Sequence, residues 1–188
     1  MLDKVLLVVV ALFPVSEIAL TVVKRANRRA AALDDRGSMR LLWMVIGASV
    51  CAAVGFTWIP AAAIHAPSRV LHLLALGVLL LGMTIRWLSI LTLGRFFTVD
   101  VSVQHDHELV ETGFYRHVRH PSYSGLLLAF VGLGVFFGNW LSLGVLALPI
   151  TLAVLRRIRI EERALREALG APYEEYSSRT KRLIPGVF

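Results

Sequence analysis

The chain has 188 residues, of which 56% are hydrophobic and only 18% charged, with a net charge of +7 and a mean hydropathy of +0.67. A soluble domain carries about 25% charge, and disorder requires low hydrophobicity, so both classes are excluded. A single cysteine, Cys51, excludes a disulfide framework and a cysteine-based zinc site. What remains is an all-α, polytopic membrane protein. In such a chain the excess of basic residues marks the cytoplasmic side, and no nucleic-acid partner is expected.

The first apolar region runs from about Val5 to Val23, interrupted by Glu17. It is longer than a signal-peptide core, lacks a small-residue cleavage site and precedes a basic run, so it reads as a span. The second covers residues 41–63, 23 positions without a charge. The third runs from about Val70 to Leu91 and carries Arg86 near its end. Residues 121–155 are long enough for two more, broken by the turn signal Gly138-Asn139. Each half has about 16 residues, short for a bilayer core of about 30 Å, so a tight helical hairpin is expected. Five transmembrane helices result.

The loop after span one holds six basic residues, the loop between spans two and three only Arg69, and the turn between spans four and five none. Arg95, Arg116 and Arg119 follow span three, and eight Lys and Arg follow residue 155. All the basic segments share one side if the N-terminus is outside and the C-terminus cytoplasmic. This predicts a multi-pass protein of the cell membrane. The polar material collects in the 92–120 loop and in 156–188, which begins as a helical continuation of span five and stops at Gly170. We divide the single membrane domain into three N-terminal spans, 1–91, and a catalytic region, 92–188.

Residues 104–125 hold four histidines, two arginines and two tyrosines. A metal site is disfavoured: His117 and His120 precede Pro121 in a segment not expected to be helical, and no carboxylate–histidine pair repeats. Pro121 instead suits the first turn of span four. The backbone N–H groups of Ser122, Tyr123 and Ser124 then point out of the helix start as an anion site, with Arg119 and His120 as further donors. Gly125 lets a neighbour approach closely. The plainer alternative is an interfacial anchor of Tyr, His and Arg. Arg157 and Glu161, at i and i+4, share a helix face, either as an ordinary surface ion pair or as one wall of a pocket. Glu17 and Arg86 lie at matching depths and are expected to pair, unless Arg86 snorkels to the surface. Gly134 and Gly138 form a small-xxx-small pattern suited to close packing within the hairpin.

Three motifs together carry a resemblance. The first is Gln104, His107, Leu109, Val110, Gly113, Tyr115, Arg119, His120, Pro121, Tyr123 and Gly125; the second is Arg157, Glu161, Glu162 and Leu165; the third is Gly170, Tyr173 and Tyr176. Over roughly 100–185 the chain resembles the isoprenylcysteine carboxyl methyltransferase family and its wider relatives, the phospholipid N-methyltransferases. The resemblance implies an integral membrane enzyme with a cytoplasmic pocket for S-adenosyl-L-methionine, whose product is S-adenosylhomocysteine. The implied cofactor contacts are Gln104, His107, Glu108, Leu109, Val110, Tyr115, His120, Pro121, Ser122, Tyr123 and Glu161. Arg157 matches the arginine that meets the substrate carboxylate. The expected acceptor is a lipid-like small molecule ending in an isoprenylcysteine-like carboxylate, reached from membrane lipid by a monomeric enzyme.

A carboxylate is ionised at pH 7 and needs no general base, whereas an amine acceptor would require one, with Glu162 or His120 available. A thiol acceptor, a nicotinamide-dependent membrane reductase and a non-enzymatic scaffold are the competing readings. Arg157 argues against an ammonium substrate, five spans against a reductase, and the dense 104–125 stretch against a scaffold.

Overall fold

The computed structural model describes residues 2–23, 33–97 and 109–188. Its helices are α1 (Leu2–Val23), α2 (Leu33–Phe56), α3 (Ser68–Leu93), α4 (Pro121–Phe136), α5 (Trp140–Leu169) and α6 (Ala171–Arg179). Short 3₁₀ turns lie at Pro60–Ala62, Gly94–Phe96 and Gly113–Arg116. Among the described residues there are no β-strands, only two isolated bridges. Helices α1, α2, α3 and α5 are long and apolar enough to cross a membrane. The fifth spanning element, α4, has 16 residues and is about 24 Å long. Leu7, Leu12, Val15, Ile18, Leu148 and Leu152 are all more than half exposed. In water such a surface would be unfavourable, and in a bilayer it is the contact with lipid.

The packing is built on glycines. A Cβ on Gly125 of α4 would lie 2.5 Å from the backbone nitrogen of Arg86 in α3, and one on Gly82 of α3 would lie 2.5 Å from that of Ala129 in α4. Only glycine permits these two backbones to touch. The close approach expected at Gly125 is therefore made by a helix. In the hairpin, a Cβ on Gly134 would collide with Leu143 of α5, 2.8 Å from its Cα, so that glycine serves the α4–α5 contact as expected. Gly138, at φ +60°, makes the turn itself.

Asn139 caps α5, its side-chain oxygen accepting from the N–H groups of Leu141 and Ser142. Its amide donates to the carbonyls of Phe56 and Ile59, which fastens the hairpin turn to the end of α2. The second span differs from the sequence expectation of 41–63, beginning at Leu33 and ending at Phe56. Pro60 supplies no N–H and biases Ile59 away from helix, and Ile59 indeed has φ −102° and ψ 96°.

Glu17 and Arg86 form the expected ion pair. Arg86 Nη2 donates to Glu17 Oε2 at 2.6 Å and Arg86 Nε to Oε1, a two-pronged contact joining α1 to α3. Arg86 Nη1 also donates to the Ser122 carbonyl at 3.2 Å, tying both helices to the start of α4. Helix α5 runs unbroken past the apolar stretch to Leu169, as expected, and Gly170, at φ +59°, ends it. The ends of α3, α5 and α6, the start of α4 and residues 109–120 thus meet at one end of the bundle.

Candidate active site

The 109–120 segment is held by the chain's last residues. Val118 and Lys181 form a parallel bridge. The N–H of Arg119 donates to the Lys181 carbonyl at 2.8 Å and that of His120 to the Arg182 carbonyl at 3.0 Å. Arg119 Nη1 donates to the Ser177 carbonyl at 2.8 Å and to that of Thr180. At the centre lies Glu162, whose side chain is 1% exposed. It accepts from Arg119 Nε at 3.0 Å and from Arg182 Nη2 at 3.0 Å, with Arg166 Nη2 at 3.6 Å. One carboxylate therefore joins α5, the segment before α4 and the C-terminal tail. Its oxygens are engaged by these cations, so Glu162 is poorly placed to act as a general base.

Its neighbour Glu161 points elsewhere, into a cavity of about 330 Å³ that Glu162 does not line. Adjacent helix positions diverge by about 100°, which is why the pair divides into one structural and one cavity-facing carboxylate. The polar end of the cavity is formed by Leu109, Val110, Tyr115, Arg119, His120, Tyr123, Glu161, Tyr173 and Tyr176. From there it runs between α1, α2 and α4 along Phe13, Leu42, Ile46, Phe130 and Phe137. Arg157 lies one helical turn, about 6 Å, from Glu161 towards this apolar groove. It is 2% exposed. Its Nε donates to the Tyr123 hydroxyl at 2.8 Å and its Nη1 to Ser38 Oγ at 3.1 Å.

The structure thus brings together Leu109, Val110, Tyr115, His120, Ser122, Tyr123, Arg157 and Glu161 around one cavity. Pro121 is buried as the first residue of α4. Gln104, His107 and Glu108 lie outside the described residues. The expectation of three free N–H groups at the helix start is corrected. Those of Tyr123 and Ser124 both donate to the His120 carbonyl, at 3.0 and 3.1 Å, because the first turn closes on its own cap. Of the three, only the Ser122 N–H makes no backbone hydrogen bond among the described residues. The polarity of this end comes from side chains instead. His120 lies between two carboxylates, with Nδ1 3.9 Å from Glu161 and Nε2 3.5 Å from Glu162.

Several lining residues were not legible as site residues. Glu17 and Arg86 face the cavity while satisfying each other. Tyr115 donates to the Ser89 carbonyl at 3.3 Å, and burial followed by the nearby Glu161 charge raises its hydroxyl well above the ordinary range. The Tyr176 hydroxyl, pushed up to about 12 mainly by burial, donates to the Tyr115 carbonyl at 2.7 Å. Tyr115 was among the expected contacts, whereas Tyr173 and Tyr176 were marked only by their spacing after Gly170, which assigns no role. Among the described residues, no group of His, Cys, Asp and Glu is arranged to hold a metal.

These features define a polytopic α-helical membrane protein with a polar pocket at one end opening into an apolar groove between its helices. The sequence profile described as "Isoprenylcysteine carboxyl methyltransferase (ICMT) family" matches residues 74–167, and the chain belongs to that family. A protein of Oryza sativa subsp. indica named "Probable protein-S-isoprenylcysteine O-methyltransferase" is 37% identical over 112 residues, covering 58% of this chain and 59% of that protein. Protein-S-isoprenylcysteine O-methyltransferase B of Arabidopsis thaliana is 36% identical over 114 residues, covering 60% and 58%. A solved structure of the eukaryotic intramembrane Ras methyltransferase ICMT superposes with a TM-score of 0.64 at 30% identity, over 75% of this chain and 52% of that one. The chain therefore spans little more than half the length of these relatives.

Proposed function

We propose that the protein is a membrane methyltransferase that uses S-adenosylmethionine to methylate the carboxylate of an isoprenylcysteine-like lipidic acceptor. The observation that carries this reading is one continuous cavity with a polar end, an apolar groove and Arg157 between them. A small polar cofactor suits the first and a lipid tail the second. The residues present fit the cofactor. A buried polar atom without a hydrogen-bond partner, the Tyr173 hydroxyl, belongs to a side chain lining its end of the cavity, and His120 lines the same end. Leu109 and Val110 offer an apolar face for adenine, and Glu161 an acceptor for ribose hydroxyls or an ammonium. Tyr115, His120, Pro121, Ser122 and Tyr123 would complete the wall, with Gln104, His107 and Glu108 preceding it in the chain. When bound, the cofactor supplies a methyl group on a sulfonium, transferable by in-line displacement.

The work left to the chain is positioning. The acceptor carboxylate is ionised at neutral pH, so no residue has to remove a proton. Arg157, its Nε held by Tyr123 and its Nη1 by Ser38, lines the cavity where the groove begins, and its positive charge suits a charge-assisted contact with that carboxylate. Burial at this depth excludes water, which otherwise blunts the nucleophile and screens the contact. The protein is read as a monomer with 92–188 as its catalytic region. Calorimetric titration of the detergent-solubilised protein separates this reading from a reductase. We expect binding of S-adenosylhomocysteine and none of NADPH; the reverse would overturn the assignment.

The site is proposed to face the cytoplasm of a cell-membrane protein, since the basic residues at 24–40, 95–119 and 156–182 are assigned to that side. With Cys51 replaced by Ser, Ala66→Cys should label from outside intact cells and Ser178→Cys only after permeabilisation. Labelling of position 66 from the cytoplasm would invert the topology.

A further inference from the structure

Tyr173 and Tyr176 lie one turn apart in α6, and both line the polar end of the cavity. Their hydroxyls have different fates. That of Tyr176 is engaged by the Tyr115 carbonyl at 2.7 Å. That of Tyr173 has no hydrogen-bond partner, although the residue is 1% exposed. An unsatisfied buried hydroxyl costs desolvation with no return, and such groups are rare in folded proteins. Phenylalanine would fill the same volume without that cost, so the hydroxyl has a use outside the protein's own hydrogen bonding. Burial, followed by the Glu162 charge, raises this hydroxyl well above its ordinary value, so it remains a donor at any working pH.

We propose that the Tyr173 hydroxyl is a cofactor-binding group, donating to an oxygen of S-adenosylmethionine that S-adenosylhomocysteine retains, in the ribose or the methionine carboxylate. This rests on the methyltransferase reading above and extends it from α4 and α5 to α6. The placement favours the cofactor over the acceptor. Tyr173 sits beyond Glu161 at the polar end, whereas the acceptor groove begins at Arg157 and leads away between α1, α2 and α4. His120 Nε2, the other buried side-chain atom without a hydrogen bond among the described residues, lies 3.5 Å from the Glu162 carboxylate, whereas the Tyr173 hydroxyl has no such neighbour within hydrogen-bond reach. Tyr173 lines this cavity, so a polar molecule bound there is the partner available to its hydroxyl.

The test is Tyr173→Phe beside Tyr176→Phe, with thermal unfolding of the unliganded proteins and titration by S-adenosylhomocysteine. Tyr173→Phe should unfold at the wild-type temperature or above, because no bond is lost, yet bind S-adenosylhomocysteine about five- to ten-fold more weakly. Tyr176→Phe should unfold at a lower temperature even without ligand, because the 109–120 segment loses one of its ties to α6. Unchanged affinity in Tyr173→Phe would overturn the proposal, as would a loss of unliganded stability, which would reveal a structural bond. An increase in acceptor KM at unchanged S-adenosylhomocysteine affinity would also overturn it, by moving the hydroxyl to the acceptor. Failure of the wild type to bind S-adenosylhomocysteine would instead sink the methyltransferase reading and this proposal with it.

Discussion

Arg157→Lys should lower methyl transfer to a prenylated cysteine analogue by about ten- to hundred-fold, the loss of a charged hydrogen bond worth roughly 1.5–3 kcal/mol. The same variant should keep its S-adenosylhomocysteine affinity within about two-fold. Lysine preserves the charge but not the planar fork. In this protein the fork is divided: Nε is held by Tyr123 and Nη1 by Ser38. A lysine ammonium can satisfy these partners or reach the acceptor, but has no rigid plane with which to do both. Radiolabelled methyl transfer and cofactor titration on one purified variant decide the matter. Loss of cofactor binding would place Arg157 in the cofactor's half of the cavity, and full activity would leave the acceptor carboxylate without its anchor.

The two adjacent glutamates should separate by phenotype. Glu162→Gln removes the negative charge shared by Arg119 and Arg182. Leaving a buried ion pair half-made costs roughly 3–5 kcal/mol. The lower end applies here, because the Arg182 side chain is 34% exposed and partly screened. For a chain of this size about 3 kcal/mol corresponds to a fall in thermal midpoint of roughly 6–12 °C. Glu161→Gln, on a side chain 30% exposed towards the cavity, should leave that midpoint nearly unchanged while weakening S-adenosylhomocysteine binding. Unfolding curves without ligand, followed by titration, distinguish the two. If Glu161→Gln proved the destabilising change and Glu162→Gln the binding change, the rotation of α5 about its axis would be wrong.

The consequence for family-wide motif reading is that neighbouring letters of one motif serve different ends. In the Arg119-His120-Pro121 run, Arg119 is committed to Glu162 and to the carbonyls of Ser177 and Thr180. His120 makes no such tie to the tail through its side chain and turns Nδ1 towards Glu161, 3.9 Å away, at the polar end of the cavity. A substitution at Arg119 is therefore expected to act through the fold and one at His120 through the ligand.

The residues by themselves determined the order of the helices, and the family resemblance named Leu109, Val110, Tyr115, His120, Ser122, Tyr123, Arg157 and Glu161, which line the cavity, but did not place Glu17, Arg86, Tyr173 or Tyr176 there. Apolar runs, the Gly138-Asn139 turn, Pro121 and Gly170 are local signals, because spanning length, turn geometry and helix termination depend on residues a few positions apart. The Glu17–Arg86 pair was also legible, since charges at matching depth in an apolar medium have few alternatives to one another. The tertiary structure decided which polar groups remain available. The free helix start expected at 122–124 was closed by the His120 carbonyl. Close approach at Gly125 went to α3. Glu162 was spent on Arg182, twenty residues along the chain. Tyr176 was engaged by Tyr115 while Tyr173 was left without a partner. Each outcome depends on which donor meets which acceptor after the helices and the tail have packed, and a residue's type and spacing do not carry that information.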